Sequence, residues 1–289
     1  MKKVLGIQRG GHAHWVGDGF PVRTVFSHYT HGQHISPFLM LDYVGPAEFA
    51  PADTPRGVSE HPHRGFETVT VVYSGEVEHR DSSGGGGVIG PGDVQWMTAA
   101  SGLVHEEMHS REFTKRGGTL EMVQMWVNLP AKDKKRKPHY QSIVANQIPE
   151  TVLPGDAGKV RVIAGSFQEA SGPASTYTPV NVWDVRLNAG HRAEFAVPNG
   201  QTTLMLVLSG HVELADGATL TSGDLAIYDP IGDSFAVTAK DEVKMLILTG
   251  EPIDEPIVAH GPFVMNSADE IQQAFRDYQS GRMGQLASE

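Results

Sequence analysis

Glu60-His61-Pro62-His63-Arg64-Gly65-Phe66-Glu67-Thr68-Val69-Thr70-Val71-Val72-Tyr73-Ser74-Gly75 sets two imidazoles, two residues apart, in front of a run of β-formers that stops at Ser-Gly. β-Branched and aromatic side chains suit a pleated, half-buried surface, so Thr68 to Tyr73 reads as a strand and Ser74-Gly75 as its turn. Leu204-Met205-Leu206-Val207-Leu208 before Ser209-Gly210 repeats that grammar. Short β-rich runs broken by Gly, Pro, Asp and Asn recur along much of the chain and predict an all-β barrel or sandwich.

Outward from this strand the marks recur as a weak repeat. Ser74-Gly75-Glu76-Val77-Glu78 is followed by Pro91-Gly92-Asp93-Val94, and Ser209-Gly210-His211-Val212-Glu213 by Ser222-Gly223-Asp224-Leu225. Two copies of one β-unit are expected, which suits a length of 289 residues. The polar stretch Ala131 to Pro138 places the boundary, giving an N-terminal domain over 1–135 and a C-terminal domain over 136–289. The basic run Lys132 to Lys137 reads as a solvated linker, and Gly84 to Gly87 as a hairpin loop inside the first domain. A helix is predicted near the C-terminus: Ser267 and Glu270 form a capping box, and Ile271, Ala274, Phe275 and Tyr278 fall at helical spacing before Gly281.

Composition narrows the chemistry. There is no Cys, which excludes disulfides, thiolate nucleophiles, iron–sulfur clusters and Cys-based zinc sites. Any metal must sit on His and carboxylate. Lys plus Arg total 23 against 34 Asp plus Glu, and the net charge of −11 opposes nonspecific binding to nucleic acid or anionic lipid. No stretch approaches the roughly twenty apolar residues of a membrane-spanning helix. The start, Met1-Lys2-Lys3-Val4-Leu5-Gly6-Ile7, lacks a signal-peptide core and cleavage site, so a soluble, cytoplasmic protein is expected.

On a strand, residues i and i+2 share a face, so His61 and His63 can approach one ion. His105 and Glu107 repeat that step after a Gly-Asp turn. Two such pairs on neighbouring strands would bring three nitrogens and one carboxylate oxygen together in a barrel, a set suited to Fe(II), Mn, Ni, Co, Cu or Zn and poorly suited to Ca or Mg. Glu67 lies at even offset from both histidines and competes with Glu107 for the carboxylate role, unless Gly65 interrupts the strand. Spacing leaves that choice open. The irregularly spaced His12, His14, His28, His31 and His34 are expected to be exposed or structural. His191, followed by Arg192, Ala193 and Glu194, has no partner pair after Gly223-Asp224, so the second copy is expected to lack a metal.

The strings His61-Pro62-His63-Arg64-Gly65-Phe66-Glu67-Thr68-Val69, Pro91-Gly92-Asp93-Val94-Gln95-Trp96-Met97-Thr98-Ala99, Gly102-x-x-His105-x-Glu107-Met108, Trp126-Val127-Asn128-Leu129 and His260-Gly261-Pro262-Phe263-Val264-Met265-Asn266 closely resemble the pirin family of the cupin superfamily. The resemblance covers nearly the whole chain. It implies a bicupin of two jelly-roll-like barrels whose N-terminal copy holds one iron, as Fe(II), through three His and one Glu, and it places the carboxylate at Glu107. Glu67 then becomes a supporting residue behind the ligands.

Some pirins are quercetinases, which open the flavonol ring with O2 and release carbon monoxide; animal pirins are described as nuclear coregulators of transcription factors. The leading expectation is therefore a metal-dependent dioxygenase of the quercetin 2,3-dioxygenase type, with Glu107 accepting the substrate's hydroxyl proton. Phe66, Met97, Gln124 and Trp126 are its candidate pocket neighbours. The competing expectations are a non-catalytic, redox-sensing regulator that binds a protein partner, and a zinc-stabilised bicupin without turnover. The extended His-bearing N-terminus and many loop replacements depart from animal pirins, which weighs against carrying over a transcription-factor interface.

Overall fold

The computed structural model describes residues 1–287. The chain divides into two compact units built from non-contiguous stretches. The first comprises Met1–His12, Arg23–Phe38 and Asn146–Pro252; the second comprises Ala13–Val22, Leu39–Ala145 and the residues from Ile253 onward. Relative to a cut at residue 135, the chain ends are therefore traded. The physical basis at the N-terminus is sheet pairing, because Val4–Gln8 runs antiparallel to Leu225–Tyr228.

Both units follow one plan, a seven-stranded sheet with a four-stranded sheet. In the second unit, which carries the site, the larger sheet has the order His139–Ile143, Val94–Thr98, Phe66–Ser74, Gly118–Asn128, Phe38–Phe49, Phe20–Ser27, His12–Val16. Its smaller sheet runs Gly57–His63, Leu103–His109, Val77–Asp81, Gly86–Ile89. In the other unit the orders are Val4–Gln8, Leu225–Tyr228, Thr202–Ser209, Val243–Gly250, Val180–Leu187, Gly158–Ala164, Glu150–Val152, and Arg192–Ala196, Ser234–Ala239, Val212–Leu214, Thr219–Leu220. The repeated Ser-Gly marks end equivalent central strands, Phe66–Ser74 and Thr202–Ser209. Local β-propensity and turn chemistry thus produce the duplicated barrel.

The two cores differ in kind. Residues 146–252 bury one continuous apolar cluster that includes Trp183, Phe195, Phe235, Met205 and Ile247. In the site-bearing unit smaller buried apolar clusters form around Phe113, Phe263, Phe66 and Met97.

The C-terminal helix spans Ala268–Gln279 and is capped by the Ser267 hydroxyl, which accepts from the Glu270 N–H at 3.3 Å. It buries Ile271 and Ala274 against Val104, Phe263 and Met265 of the site-bearing unit. One reading needs correction: the basic run is not uniformly solvated. Lys134 is 2% exposed, and its ammonium donates to Gly65 O, Asn128 Oδ1 and Val264 O at 2.7, 2.7 and 3.0 Å. Three acceptors meet its three N–H groups, which allows the side chain to be buried. No helix among the described residues is long and apolar enough to cross a membrane.

Candidate metal centre

The site is built around Leu103–His109. Alternation puts Leu103, His105, Glu107 and His109 on one buried face. On one flank, Gly57–His63 sets His61 opposite His105 and His63 opposite Leu103; a bulge then places Glu107 opposite Val58. On the other flank, Val77–Asp81 sets Asp81 opposite His105 and His79 opposite Glu107. Three His-x-His, His-x-Glu or His-x-Asp pairs therefore line up on adjacent strands.

Ligand-capable atoms of His61, His63 and His105 all lie within 4.8 Å of one another, as do those of His79, His105 and Glu107. His105 is common to both triads. The His61 and His105 ring centroids are 4.1 Å apart, and His63 is 4.9 Å from each. His61 Nδ1 lies 2.8 Å from the Ser59 carbonyl and His63 Nδ1 lies 3.3 Å from the Pro262 carbonyl. A ring nitrogen so placed donates its N–H, which leaves Nε2 with the lone pair. His105 Nε2 is buried and has no hydrogen-bond partner.

Burial, reinforced by the neighbouring imidazoles, holds His63 and His105 well below the ordinary imidazole range. Both are neutral donors near pH 7. A buried lone pair left without a partner among converging imidazoles is what a borderline divalent cation satisfies, so the residues present fit a metal ion.

Glu107 is fixed from the seven-stranded sheet. The Gln95 amide donates to one carboxylate oxygen and the Gln124 amide to the other, the latter at 2.9 Å. Both amides also donate to the Thr70 hydroxyl at 3.2 Å. His79 and Asp81 were missed in the sequence. The signal was available, since Val77-Glu78-His79-Arg80-Asp81 has the same two-residue step as His61/His63 and His105/Glu107. Burial alone would raise the Asp81 carboxyl, but hydrogen bonds from His79, the Ser83 hydroxyl and the Gly85 and Ser83 N–H groups hold it at about 2. Tyr140 stacks on His79 at 4.7 Å, and burial followed by the charges of Glu107 and Asp81 pushes its phenol up.

The remaining candidates divide by strand face. Phe66 and Trp126 stack at 4.2 Å and meet the His63 ring edge-on at 5.1 and 5.3 Å. Met97 is buried with Ala99 and Leu103. Glu67 alternates to the opposite side of its strand from Thr70 and pairs with Thr98, whose hydroxyl donates to it at 2.6 Å. Burial lifts its carboxyl to about 7, with the Thr98 hydrogen bond pulling the other way. The break in face parity comes at Gly65, whose φ of +93° separates the two strands. Of the N-terminal histidines, His12, His14 and His34 are exposed, and His28 and His31 are half-buried.

The C-terminal segment completes the site. Arg64 N–H donates to the same Pro262 carbonyl, Val264 N–H donates to Arg64 O at 3.0 Å, and Arg64 pairs with Asp277 of the helix at 2.9 Å. These contacts tether the backbone immediately after His63.

Equivalent positions in the other unit show what the same interior holds without this ring of polar groups. Counting from Gly75 and Gly210, His79 corresponds to Leu214; Glu107 opposite His79 corresponds to Val237 opposite Leu214. Two residues earlier, His105 corresponds to Phe235, whose partner Phe195 stands where His61 does. Thr70, Gln95 and Gln124 become Met205, Ala226 and Ile247. All of these replacements belong to the continuous apolar cluster.

Two double-sheet barrels in one chain, one of them polar at its centre, define a bicupin. Family models described as Pirin and as the Pirin C-terminal cupin domain match residues 19–127 and 182–284. The chain is 55% identical over 282 residues, 98% of each chain, to a Pseudomonas aeruginosa protein named "Putative quercetin 2,3-dioxygenase". It is 36% identical over 288 residues to a pirin-like protein of Solanum lycopersicum, covering 98% of this chain and 92% of that one. A solved structure of quercetin 2,3-dioxygenase from Acinetobacter baumannii matches with a TM-score of 0.96 at 50% identity, covering 99% of this chain and 100% of that one. A bacterial pirin of Escherichia coli in complex with nickel(II) shares the fold, with a TM-score of 0.63 at 20% identity, covering 88% of this chain and 100% of that one. The chain belongs to the pirin family.

Proposed function

We propose that this protein is a metal-dependent dioxygenase that opens the ring of a flavonol or a related enolic aromatic with O2. The metal is held by His61, His63, His105 and Glu107. The observation that carries the reading is the convergence of three imidazoles with a buried, unpartnered His105 Nε2. The names of the Pseudomonas and Acinetobacter relatives support the reaction class. A bound divalent ion, with iron(II) the leading candidate over Mn, Ni, Co, Cu and Zn, supplies Lewis acidity and redox capacity.

The chain's own residues set the rest. Glu107, oriented by Gln95 and Gln124, accepts the proton of the substrate's enolic hydroxyl. The Phe66–Trp126 stack beside His63 offers a flat apolar wall for a planar ring system. His61 is half-buried whereas His63, His105 and Glu107 are buried, so approach is from the His61 side.

The test pairs metal analysis of freshly isolated protein with loss of quercetin absorbance in air. Iron-loaded protein should consume quercetin, and His105→Ala should neither retain metal nor turn over. No loss above a metal-free control refutes the enzyme reading for this substrate. Zinc alone in the isolated protein, with no O2 chemistry after iron loading, refutes it for the class.

A further inference from the structure

We propose that Asp81 and His79 form a relay that locks His105 in its Nδ1–H tautomer, so that Nε2 faces the metal centre as a lone pair. This rests on the reading above that His105 is a ligand. Asp81 Oδ1 already accepts three hydrogen bonds, from Ser83 N–H at 2.8 Å, Ser83 Oγ–H at 2.6 Å and Gly85 N–H at 3.0 Å. Asp81 Oδ2 faces His79 Nε2 at 3.2 Å. A carboxylate only accepts, so His79 must carry its proton on Nε2.

His79 Nδ1 is then a lone pair, and it lies 3.3 Å from His105 Nδ1. Two facing nitrogens at that distance need one proton between them, and His105 supplies it. The reverse order would put an N–H on His105 Nε2, the buried atom that has no acceptor. A buried donor left unpaired is strongly disfavoured. The relay also makes His79 a positioning residue, because both of its ring nitrogens are engaged.

The chain of bonds makes Asp81→Asn a tautomer switch of nearly unchanged shape. The three donors at Oδ1 hold the amide oxygen of Asn in that place, which turns its NH2 toward His79 Nε2. The imidazole must then accept there, move its proton to Nδ1, and donate to His105 Nδ1. His105 is left with its N–H on Nε2, pointing at the metal site. The same logic operates when the aspartate of a serine-protease triad is replaced by asparagine.

The experiment reads long-range 1H–15N imidazole correlations of the metal-free protein, alongside cobalt(II) affinity by chelator competition. His105 should be Nδ1–H in the wild type and Nε2–H in Asp81→Asn, and cobalt affinity should fall about 10- to 100-fold with the thermal midpoint little changed. A wild-type His105 with its proton on Nε2 overturns the relay, as does a variant with wild-type tautomer and affinity. Should the variant fail to fold, the wild-type tautomer alone decides. Wild-type protein that binds no cobalt instead refutes the metal reading, and the tautomer measurement still tests the relay.

Discussion

Gly65 gives the most direct test of how the C-terminal segment shapes the site. A Cβ at this position would lie 1.9 Å from the Val264 carbonyl oxygen and 2.8 Å from the Met265 sulfur, on a backbone with φ of +93°. For an L-residue the left-handed backbone costs roughly 1–2 kcal/mol. Forcing apart packed backbone adds roughly 1–3 kcal/mol, so Gly65→Ala should destabilise by about 2–5 kcal/mol. Gly84 is the internal control: its φ is +88°, yet a Cβ there meets nothing within 4 Å. Gly84→Ala should therefore show the backbone cost alone, and the difference between the variants isolates the clash. At roughly 2–4 °C per kcal/mol for a unit of this size, calorimetry should find Gly65→Ala on the order of 10 °C below wild type and Gly84→Ala only a few degrees below. Val264 is tied to Arg64, and the adjoining Pro262 carbonyl orients His63, so cobalt affinity should fall in the first variant and hold in the second. Equal effects of the two substitutions would refute the reasoning, because they would mean that the Val264 segment yields without resistance.

Three further outcomes follow from buried charges and from ligation. Because the folded Glu67 holds its proton up to about 7 while the unfolded side chain releases it near 4.5, stability should fall as pH rises through that window; urea titrations of metal-free protein should show Glu67→Gln lacking that fall, on the order of 3 kcal/mol. Asp184 is fully buried and pairs with Arg161, at 2.9 Å, and with the partly exposed Arg186, so Asp184→Ala removes a carboxylate acceptor from both and should cost about 1–3 kcal/mol by urea unfolding, with little change in cobalt affinity. Cobalt at about 100 times its dissociation constant should stabilise the site-bearing unit by about 2.7 kcal/mol. Hydrogen exchange should then slow in Gly57–His63, Val77–Asp81 and Leu103–His109 but not in Arg192–Ala196 or Ser234–Ala239, and uniform protection would speak against a local site.

What the sequence revealed is what a short period can carry. Thr68 to Tyr73, the Ser267 cap and the paired steps His61/His63 and His105/Glu107 are all local patterns, and each falls on a strand or helix of the expected kind. The hidden features depend on long separations or on backbone angles. The pairing of Val4–Gln8 with Leu225–Tyr228 has no local trace. The face of Glu67 was undecidable because parity across Gly65 turns on a φ angle, and a glycine in a sequence does not announce its sign. Lys134 looked like one more solvated lysine because its three acceptors come from residues 65, 128 and 264. His79 and Asp81 were readable by the rule that found the other pairs.

The two barrels together separate what the fold requires from what the site requires. Strand order and turn positions are kept in both, so they cannot depend on the histidines. In the apolar unit, Phe195, Phe235, Leu214, Val237, Met205 and Ile247 fill the interior and form one cluster by contact alone. In the site-bearing unit the same register positions carry groups that each need a partner, and nearly all find one: Glu107 from Gln95 and Gln124, Gln95 and Gln124 from Thr70, His79 from Asp81, His61 and His63 from backbone carbonyls. A polar network in a barrel core is tolerated only when satisfied to this degree, because the low dielectric that strengthens each hydrogen bond also magnifies each omission. Among these groups His105 Nε2 is left without a hydrogen-bond partner, and a divalent cation is a partner that its lone pair could take.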